Sequence, residues 1–160
     1  MTQKILKALM RLFAIVTNIS ASFDNQYARK IVESYLAQLL TQKQVGQYLM
    51  MFDFYLKSLK QKKIENVEKS IALSSVKVLL ICEEINKGLL QSQKILVFIQ
   101  LFELVNKSAA TVKKIEYEFL KTIAHAIKIN EADYFNTQYF IENKISEIPE
   151  KENVLIIDGK

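Results

Sequence analysis

Residues that end or interrupt helices are scarce in this chain. Its 160 residues include three glycines and one proline, whereas half of the residues are hydrophobic. The chain is instead rich in Leu, Ile, Lys and Gln, a composition that is typical of helices. It therefore predicts an all-α protein, and the length predicts one domain large enough for a sizeable core. The single cysteine excludes an intramolecular disulfide and fits a reducing compartment, so we expect a cytoplasmic protein.

Long apolar runs are also missing. The longest, from Ile95 to Val105, is interrupted by Gln100 and Glu103, whereas a membrane-spanning helix needs about 20 apolar residues. We therefore expect a peripheral association with a membrane at most. Basic residues before the apolar segment Leu12–Val16 resemble the start of a signal peptide. The same segment recurs later in the chain, however, so we expect it to be kept as part of the core.

The residue types that most catalytic and metal sites use are rare. His125 is the only histidine and Cys82 the only cysteine, so a zinc site of the common type lacks ligands. Cys82 lies in an apolar segment, where we expect a buried thiol with a raised pKa. Glu83 and Glu84 are adjacent and would point about 100° apart on a helix, so they do not form an acid/base pair by themselves. There is no phosphate-binding glycine loop. We therefore expect no catalytic residue, no metal ligand and no cofactor.

Two parts of the chain repeat each other. Leu12–Val16 recurs as Leu101–Val105 at an offset of 89, and a second echo follows at an offset of 88. The spacing of the second echo, i, i+1, i+4, i+5 and i+8, is that of a helix face turned to a core. Its matched positions are Ile31, Val32, Tyr35, Leu36 and Leu39 in the first copy and Phe119, Leu120, Ile123, Ala124 and Ile127 in the second. The repeat predicts two helix–loop–helix hairpins related by an approximate internal two-fold.

The apolar periodicity predicts about seven helices in a domain covering residues 1–144. They are expected at 3–18, 24–40, 41–59, 74–87, 92–107, 112–128 and 131–144. Asp24 and Asn130 suit the starts of two of them, and Thr41 with Gln44 has the form of a capping box. The polar interval 57–69 predicts the longest loop, and Gly88 is expected as a helix C-terminal cap.

The fourth helix is apolar around most of its circumference, which is typical of a central, buried helix. We therefore expect Leu79, Leu80, Cys82 and Ile85 to be shielded from solvent. Residues 145–160 differ from the rest, because Asn153–Gly159 has the pattern of a β-strand followed by a turn. This extended segment would open a following domain or pair with a second copy of the chain.

Charge is unevenly distributed along the sequence. Residues 1–63 hold ten Lys/Arg against three acids, 64–128 hold nine against seven, and 129–160 hold three against seven. A basic front and an acidic tail would steer an anionic partner or pair copies head to tail. A solvated surface with uneven charge is the simpler interpretation. No DNA-reading helix motif is present, so we expect no nucleic-acid partner.

The twin Leu-Phe-x-x-Val pattern, followed each time by a polar linker and an amphipathic helix, resembles the TerB-like (tellurite-resistance-associated) helical fold over about residues 3–144. The resemblance implies a helical bundle with an internal repeat. It also implies acidic linkers associated with metal binding. The linkers here, residues 18–22 and 107–111, carry no acid. Only Asp24 and Glu116 remain downstream of them, so we expect no bound metal.

A second resemblance is confined to a shorter segment. Val76–Asn86, followed by Gln91–Lys94, is similar to the N-terminal TerB-like region of large bacterial membrane-associated proteins, in which ABC-type ATPase and permease parts follow. It implies that this domain accompanies such an ATPase. No Walker motif occurs in these 160 residues, so the resemblance does not extend to the ATPase itself.

We consider three functions. The favoured one is a non-catalytic cytosolic scaffold or interaction domain, which binds protein partners, a second copy or further domains of the same polypeptide, and regulates or tethers a membrane ABC-type ATPase. The alternative is a metal-ion-binding stress-response domain of the tellurite-resistance type, using Asp24, Glu116 and other carboxylates. The third is an enzyme that uses Glu83, Glu84 or His125, against which the lack of a catalytic arrangement argues.

Overall fold

Helices account for all the regular secondary structure in the part of the chain that the structure describes. This structure is a computed structural model, and it describes residues 1–20, 24–65, 67–106 and 110–143. Its seven helices are α1 (Gln3–Ile19), α2 (Asn25–Ala37), α3 (Gln42–Glu65), α4 (Val67–Gly88), α5 (Gln91–Asn106), α6 (Ala110–Ala126) and α7 (Glu131–Asn143). The predicted all-α class is confirmed for these residues. The strand expected at Asn153–Gly159 lies outside them.

The core forms around α1 and α5, the two helices that carry the Leu-Phe-x-x-Val pattern. α1 packs mainly against α3 and α4, while α5 packs against α7, α2 and α6. Phe13, Phe98 and Phe102 are fully buried, and Phe98 contacts Phe102 edge-to-face with ring centroids 5.0 Å apart. The two apolar helices therefore lie at the centre because their neighbours cover them on several sides.

Burial follows the internal repeat at most of its matched positions. The patterns Leu12–Val16 and Leu101–Val105 are buried except at Glu103, which is half-buried. In the second echo Leu39 is 45% exposed, whereas its counterpart Ile127 is fully buried. In both halves the first helix packs against the third, α1 on α3 and α5 on α7. The internal two-fold itself stays a prediction, since similar burial does not fix the angles between helices.

The loop predicted at 57–69 is wrong. α3 continues to Glu65 and α4 begins at Val67, and residue 66 lies outside the described residues. Lys, Gln and Glu, which dominate this interval, are good helix formers, and the interval has no glycine or proline. A high density of charged residues is therefore compatible with a helix, and polarity alone did not predict irregular structure here.

The expected burial of the fourth helix is wrong for two of its four named residues. Cys82 and Ile85 are buried, but Leu79 is 57% exposed and Leu80 is 59% exposed. Within residues 76–88 of α4, the buried side chains are Val78, Ile81, Cys82 and Ile85, at the spacing i, i+3, i+4 and i+7. An apolar circumference does not bury a helix unless neighbouring elements cover every side, and one side of α4 is open.

The caps predicted at the starts of α2, α3 and α7 are present in the structure. Oδ1 of Asp24 accepts hydrogen bonds from the backbone N–H of Gln26 at 2.9 Å and of Tyr27 at 3.3 Å, so Asp24 caps α2. Oδ1 of Asn130 accepts from the N–H of Asp133 at 2.8 Å and caps α7. At Thr41 the Gln44 side chain accepts from the backbone N–H at 3.2 Å, as in a capping box, while the Thr41 hydroxyl donates to the same oxygen.

Gly88 has a different role from the expected helix cap. It is the last residue of α4, and no glycine among the described residues has a positive φ. A Cβ at Gly88 would lie 2.7 Å from Cγ1 of Ile5 and closer still to its Cδ1. The absence of a side chain therefore allows the start of α1 to approach the end of α4.

Candidate functional site

A concave feature of the described surface is a groove between α1, α3 and α4. Its volume is about 670 Å³, within the range of about 300–1,000 Å³ typical of ligand pockets. Its lining residues are Lys4, Lys7, Ala8, Arg11 and Ile15 of α1, Tyr55, Ser58 and Leu59 of α3, and Lys77, Leu80, Ile81, Glu83 and Glu84 of α4. We call it the α1–α3–α4 groove.

The floor of the groove is apolar because three helix faces converge there. Ala8 and Ile15 are seven residues apart on α1, and Tyr55 and Leu59 four apart on α3. Both spacings place side chains on one helix face. Leu80 lines the groove from α4 while remaining 59% exposed. The apolar surface therefore opens to solvent along α4.

Two further apolar side chains extend this open surface. Val76 is 59% exposed and Leu79 is 57% exposed. Val76 is four residues before Leu80, one helical turn away, so it shares a face with Leu80. With Leu80, these residues place three exposed apolar side chains within five positions of α4.

The rim of the groove is basic along α1. Lys4, Lys7 and Arg11 follow the spacing i, i+3 and i+7, so one face of the helix presents all three. Lys77 adds a cation from α4. The guanidinium of Arg11 lies over the ring of Tyr55, 5.2 Å from its centroid, which is the geometry of a cation–π contact.

The two glutamates of the rim are already engaged in ion pairs. Glu84 pairs with Lys4 of α1 at 2.8 Å, and Glu83 pairs with Lys87 of its own helix at 2.9 Å. The hydrogen bond from Lys4 lowers the pKa of Glu84, and the hydrogen bond to Glu83 raises the pKa of Lys87. These exposed pairs contribute little to stability. Their main effect is to neutralise the acids of the rim.

Three rim cations remain without a carboxylate partner among the described side chains. They are Lys7, Arg11 and Lys77, and all three are exposed. The groove therefore combines an open apolar floor with a net positive rim. Such a surface can bind an amphipathic, anionic group.

The other residues singled out in the sequence are dispersed. Cys82 is 1% exposed, and burial raises the pKa of its thiol to about 11, as expected. His125 is exposed in the last turn of α6. Glu83 and Glu84 lie at the groove rim as ion-pair partners and not as an acid/base pair.

The candidate metal residues Asp24 and Glu116 lie on different elements. Asp24 is exposed and caps α2, while Glu116 is 1% exposed on α6. No group of three or more His, Cys, Asp or Glu side chains within metal-binding reach exists among the described residues. Residues 21, 22 and 107–109 of the two linkers lie outside the described part, and the expected lack of bound metal stays a prediction.

A buried polar network that was not predicted from the sequence joins α4 to α5 and α6. Lys94 is 6% exposed, and its Nζ donates to Oδ1 of Asn86 at 2.8 Å. Nδ2 of Asn86 in turn donates to the carbonyl of Ala126 at 2.7 Å. Burial, with a smaller effect of Lys128, lowers the pKa of Lys94. A signal was present, because Lys94 precedes Val97 and Phe98 on the buried face of α5 at i+3 and i+4.

Two smaller concave sites are less suited to bind a partner. One, of about 370 Å³ between α2 and α3, is bordered by the ion pair of Arg29 with Asp53 at 3.2 Å. The other, of about 340 Å³ between α6 and α7, is bordered by Lys121, which lies 5.9 Å from the ring centroid of Phe135. The α1–α3–α4 groove is about twice as large as either, so we treat it as the candidate site.

The comparisons with known proteins give no relative. No protein family model matches the chain, and neither does any curated protein or solved structure. Within the described residues, no helix has the length and apolar character required to cross a bilayer. Function must therefore be argued from the groove.

Proposed function

We propose that this chain is a non-catalytic helical interaction domain that holds a protein segment in the α1–α3–α4 groove. The observation that carries the proposal is the combination of an apolar floor, partly open at Leu80, with rim cations that have no carboxylate partner among the described side chains. A closed catalytic site would instead place a nucleophile or acid beside a base. The described acids of the groove are already bound to lysines.

The partner we favour is a membrane ABC-type ATPase, or a further domain of one polypeptide that contains it. The domain would tether or regulate the ATPase from the cytoplasmic side. The support is the resemblance of Val76–Asn86 to the TerB-like region that precedes such ATPases in bacterial proteins. This segment supplies the α4 wall of the groove, including Lys77, Leu80 and Ile81. The resemblance and the groove therefore point to the same surface.

The metal-ion-binding alternative has less support. The Asp24 carboxylate already accepts two backbone hydrogen bonds at the start of α2, and a hard cation requires several oxygen ligands around it. We therefore keep the interaction domain as the proposed function.

Photo-crosslinking in the cells that produce the chain tests this proposal. Leu80 is replaced by the photoreactive residue p-benzoylphenylalanine, and Phe140 receives the same replacement as a matched control. The two positions have similar exposure, 59% and 53%, but Phe140 lies on α7 and does not line the groove. We expect one polypeptide to crosslink at position 80 and not at 140, and mass spectrometry to identify it as part of an ABC-type ATPase or permease. Equal crosslinking at both positions, or none at 80, would contradict the proposal.

A further inference from the structure

We infer that the segment bound in the α1–α3–α4 groove is an acidic amphipathic helix. Its apolar side chains would contact Leu59, Leu80 and Ile81, and its carboxylates would face the basic rim. This inference rests on the proposed function, because it specifies the partner of the same groove. It adds the charge and the conformation of that partner.

The charge of the partner follows from the balance of the rim. Four cations and two acids line the groove, and both acids are paired within the chain, Glu84 with Lys4 and Glu83 with Lys87. Basic partners would meet Lys7, Arg11 and Lys77, and like charges brought together at an interface are strongly disfavoured. Acidic partners gain attraction at the same positions. The rim therefore selects against basic segments and in favour of acidic ones.

The conformation of the partner follows from the backbone of the groove walls. All three walls are helices, which already use their backbone N–H and C=O groups internally. An extended peptide would find no strand edge there, and its own backbone groups would face an apolar floor without partners. A helix satisfies its backbone by itself and presents one apolar face. Helix-in-groove binding therefore fits this site better than strand addition.

The positions of the cations also match a helix. Lys7 and Arg11 are four residues apart, so their side chains are separated by about one turn along α1. A bound helix with acids at i and i+4, or at i and i+7, separates its carboxylates by about 5–10 Å along its axis, which is comparable to the separation of the cations. Arg11 is held by its contact with the Tyr55 ring, which orients one of the three cations before binding. A partly preorganised cation loses less freedom on binding.

A display library tests the inference without assuming a sequence. Helical peptides of 18 residues would carry Leu, Ile, Phe or Ala at the apolar positions and Glu, Gln or Lys at the flanking polar positions. Selection on the full chain, followed by counter-selection on the Lys7→Glu/Arg11→Glu variant, isolates groove-dependent binders. We expect Glu to be enriched over both Gln and Lys. Enrichment of Lys, no charge preference, or no groove-dependent binder would each overturn the inference.

Fluorescence anisotropy of the best labelled binder then measures the contribution of the rim. Lys7→Glu/Arg11→Glu should weaken binding at least tenfold, and Leu80→Asp should do the same through the floor. The matched control is Lys30→Glu/Lys43→Glu, which changes the net charge equally at exposed positions that do not line the groove. Equal weakening by the control would mean nonspecific attraction and overturn the inference. Circular dichroism confirms that each variant is folded.

Two further experiments distinguish the acidic helix from other partners of the groove. Flotation with phosphatidylglycerol vesicles tests an anionic membrane. Vesicle binding that Lys7→Glu/Arg11→Glu abolishes, in a chain that selects no acidic peptide, would replace the helix with a lipid surface. The crosslink at Leu80 separates this inference from the proposed function. A neutral or basic adduct segment would overturn the inference and leave the groove as a docking site, whereas no adduct would overturn the proposed function.

Discussion

The close approach of α1 to the end of α4 predicts that alanine has opposite effects at two helical glycines. Gly46 lies on α3, and apart from its chain neighbours and its own helix backbone no atom lies within 4 Å of the position that a Cβ would occupy. At Gly88 the new Cβ would lie 2.7 Å from Cγ1 of Ile5 and nearer to Cδ1. Ile5 is only 6% exposed, so its side chain has little room to move. Gly46→Ala should stabilise the protein, and Gly88→Ala should destabilise it.

The magnitudes follow from two opposing effects. Replacing a helical glycine by alanine restricts the unfolded backbone and favours the folded state by about 0.5–1 kcal/mol. At Gly88 this gain is opposed by overpacking, which costs about 1–3 kcal/mol. Rotation about χ2 moves Cδ1 of Ile5 away, but Cγ1 moves only with χ1, and a β-branched residue in a helix strongly prefers one χ1 rotamer. The two variants should therefore differ by about 1–3 kcal/mol in unfolding free energy.

Urea unfolding followed by circular dichroism measures both variants against the unchanged chain. A third variant, Ile5→Ala, removes the two atoms that meet the new Cβ. In the Ile5→Ala background, Gly88→Ala should lose its penalty, so the double-mutant cycle should give a coupling of about 1–3 kcal/mol. The reasoning is refuted when Gly88→Ala is as stabilising as Gly46→Ala, or when its effect is the same with and without the Ile5 side chain.

Four other outcomes are expected. Ile85→Ala, at a fully buried position, should lower the free energy of unfolding by about 2–5 kcal/mol. Leu79→Ala should lower it by less than about 1 kcal/mol in the same urea unfolding experiment. Equal losses would contradict the exposure of Leu79 on α4. Among the described residues Lys128 is the one non-glycine with a positive φ, of 63°. Lys128→Gly should therefore raise the free energy of unfolding by about 1 kcal/mol. A destabilised variant would contradict backbone strain at this position. Burial raises the pKa of Cys82 from 9.0 to about 11, so the thiol of the unfolded chain loses its proton at a lower pH than the thiol of the folded chain. The free energy of unfolding should therefore fall between pH 9 and 11 by about 1–3 kcal/mol more than in Cys82→Ala. Parallel pH profiles of the two proteins would exclude this contribution. Calorimetric titration with Ca²⁺, Mg²⁺, Mn²⁺ and Zn²⁺ should detect no site tighter than about 100 µM, and one that Asp24→Ala abolishes would revive the metal hypothesis.

Local signals in the sequence predicted the starts of helices well. The Asp24 and Asn130 caps act within three residues of themselves, so neighbouring residues in the sequence contain all the required information. The apolar faces of α1 and α5 were predictable for a similar reason, since periodicity alone identifies a face that must be buried. These features do not depend on which helix packs against which.

The extent of helices and the exposure of α4 depended on information outside each segment. Residues 57–65 and 67–69 are helical because Lys, Gln and Glu are compatible with a helix and the preceding apolar stripe packs on the core. A polar segment alone has no strong preference. Leu79 and Leu80 are apolar but exposed because no described element packs over that side of α4. The sequence of α4 is the same whether this side is covered or open. Only the arrangement of its neighbours decides between them.

The groove was the least predictable feature, because it exists only where three helices meet. The stripe of Lys4, Lys7 and Arg11 was recognisable as an outward face, but its position opposite Leu80 of α4 was not. Two contacts between α1 and α4 lie at this position, the close approach of Ile5 to Gly88 and the ion pair of Lys4 with Glu84. Neither involves a long apolar pattern, so neither is recognisable in the sequence. A tertiary contact between distant residues leaves no local signal.

The exposed leucines beside the groove are not explained by folding. A side chain that is 57–59% exposed contributes little to the core, so a polar residue at Leu79 or Leu80 would leave stability almost unchanged. Exposed apolar residues also increase the risk of association with other proteins. If folding and solubility were the only requirements, a polar residue at these positions would allow the chain to fold equally well and would lower its tendency to associate. Leu80 lines the groove beside its basic rim and Leu79 is its neighbour on α4, so the proposed bound segment would account for an apolar residue at position 80.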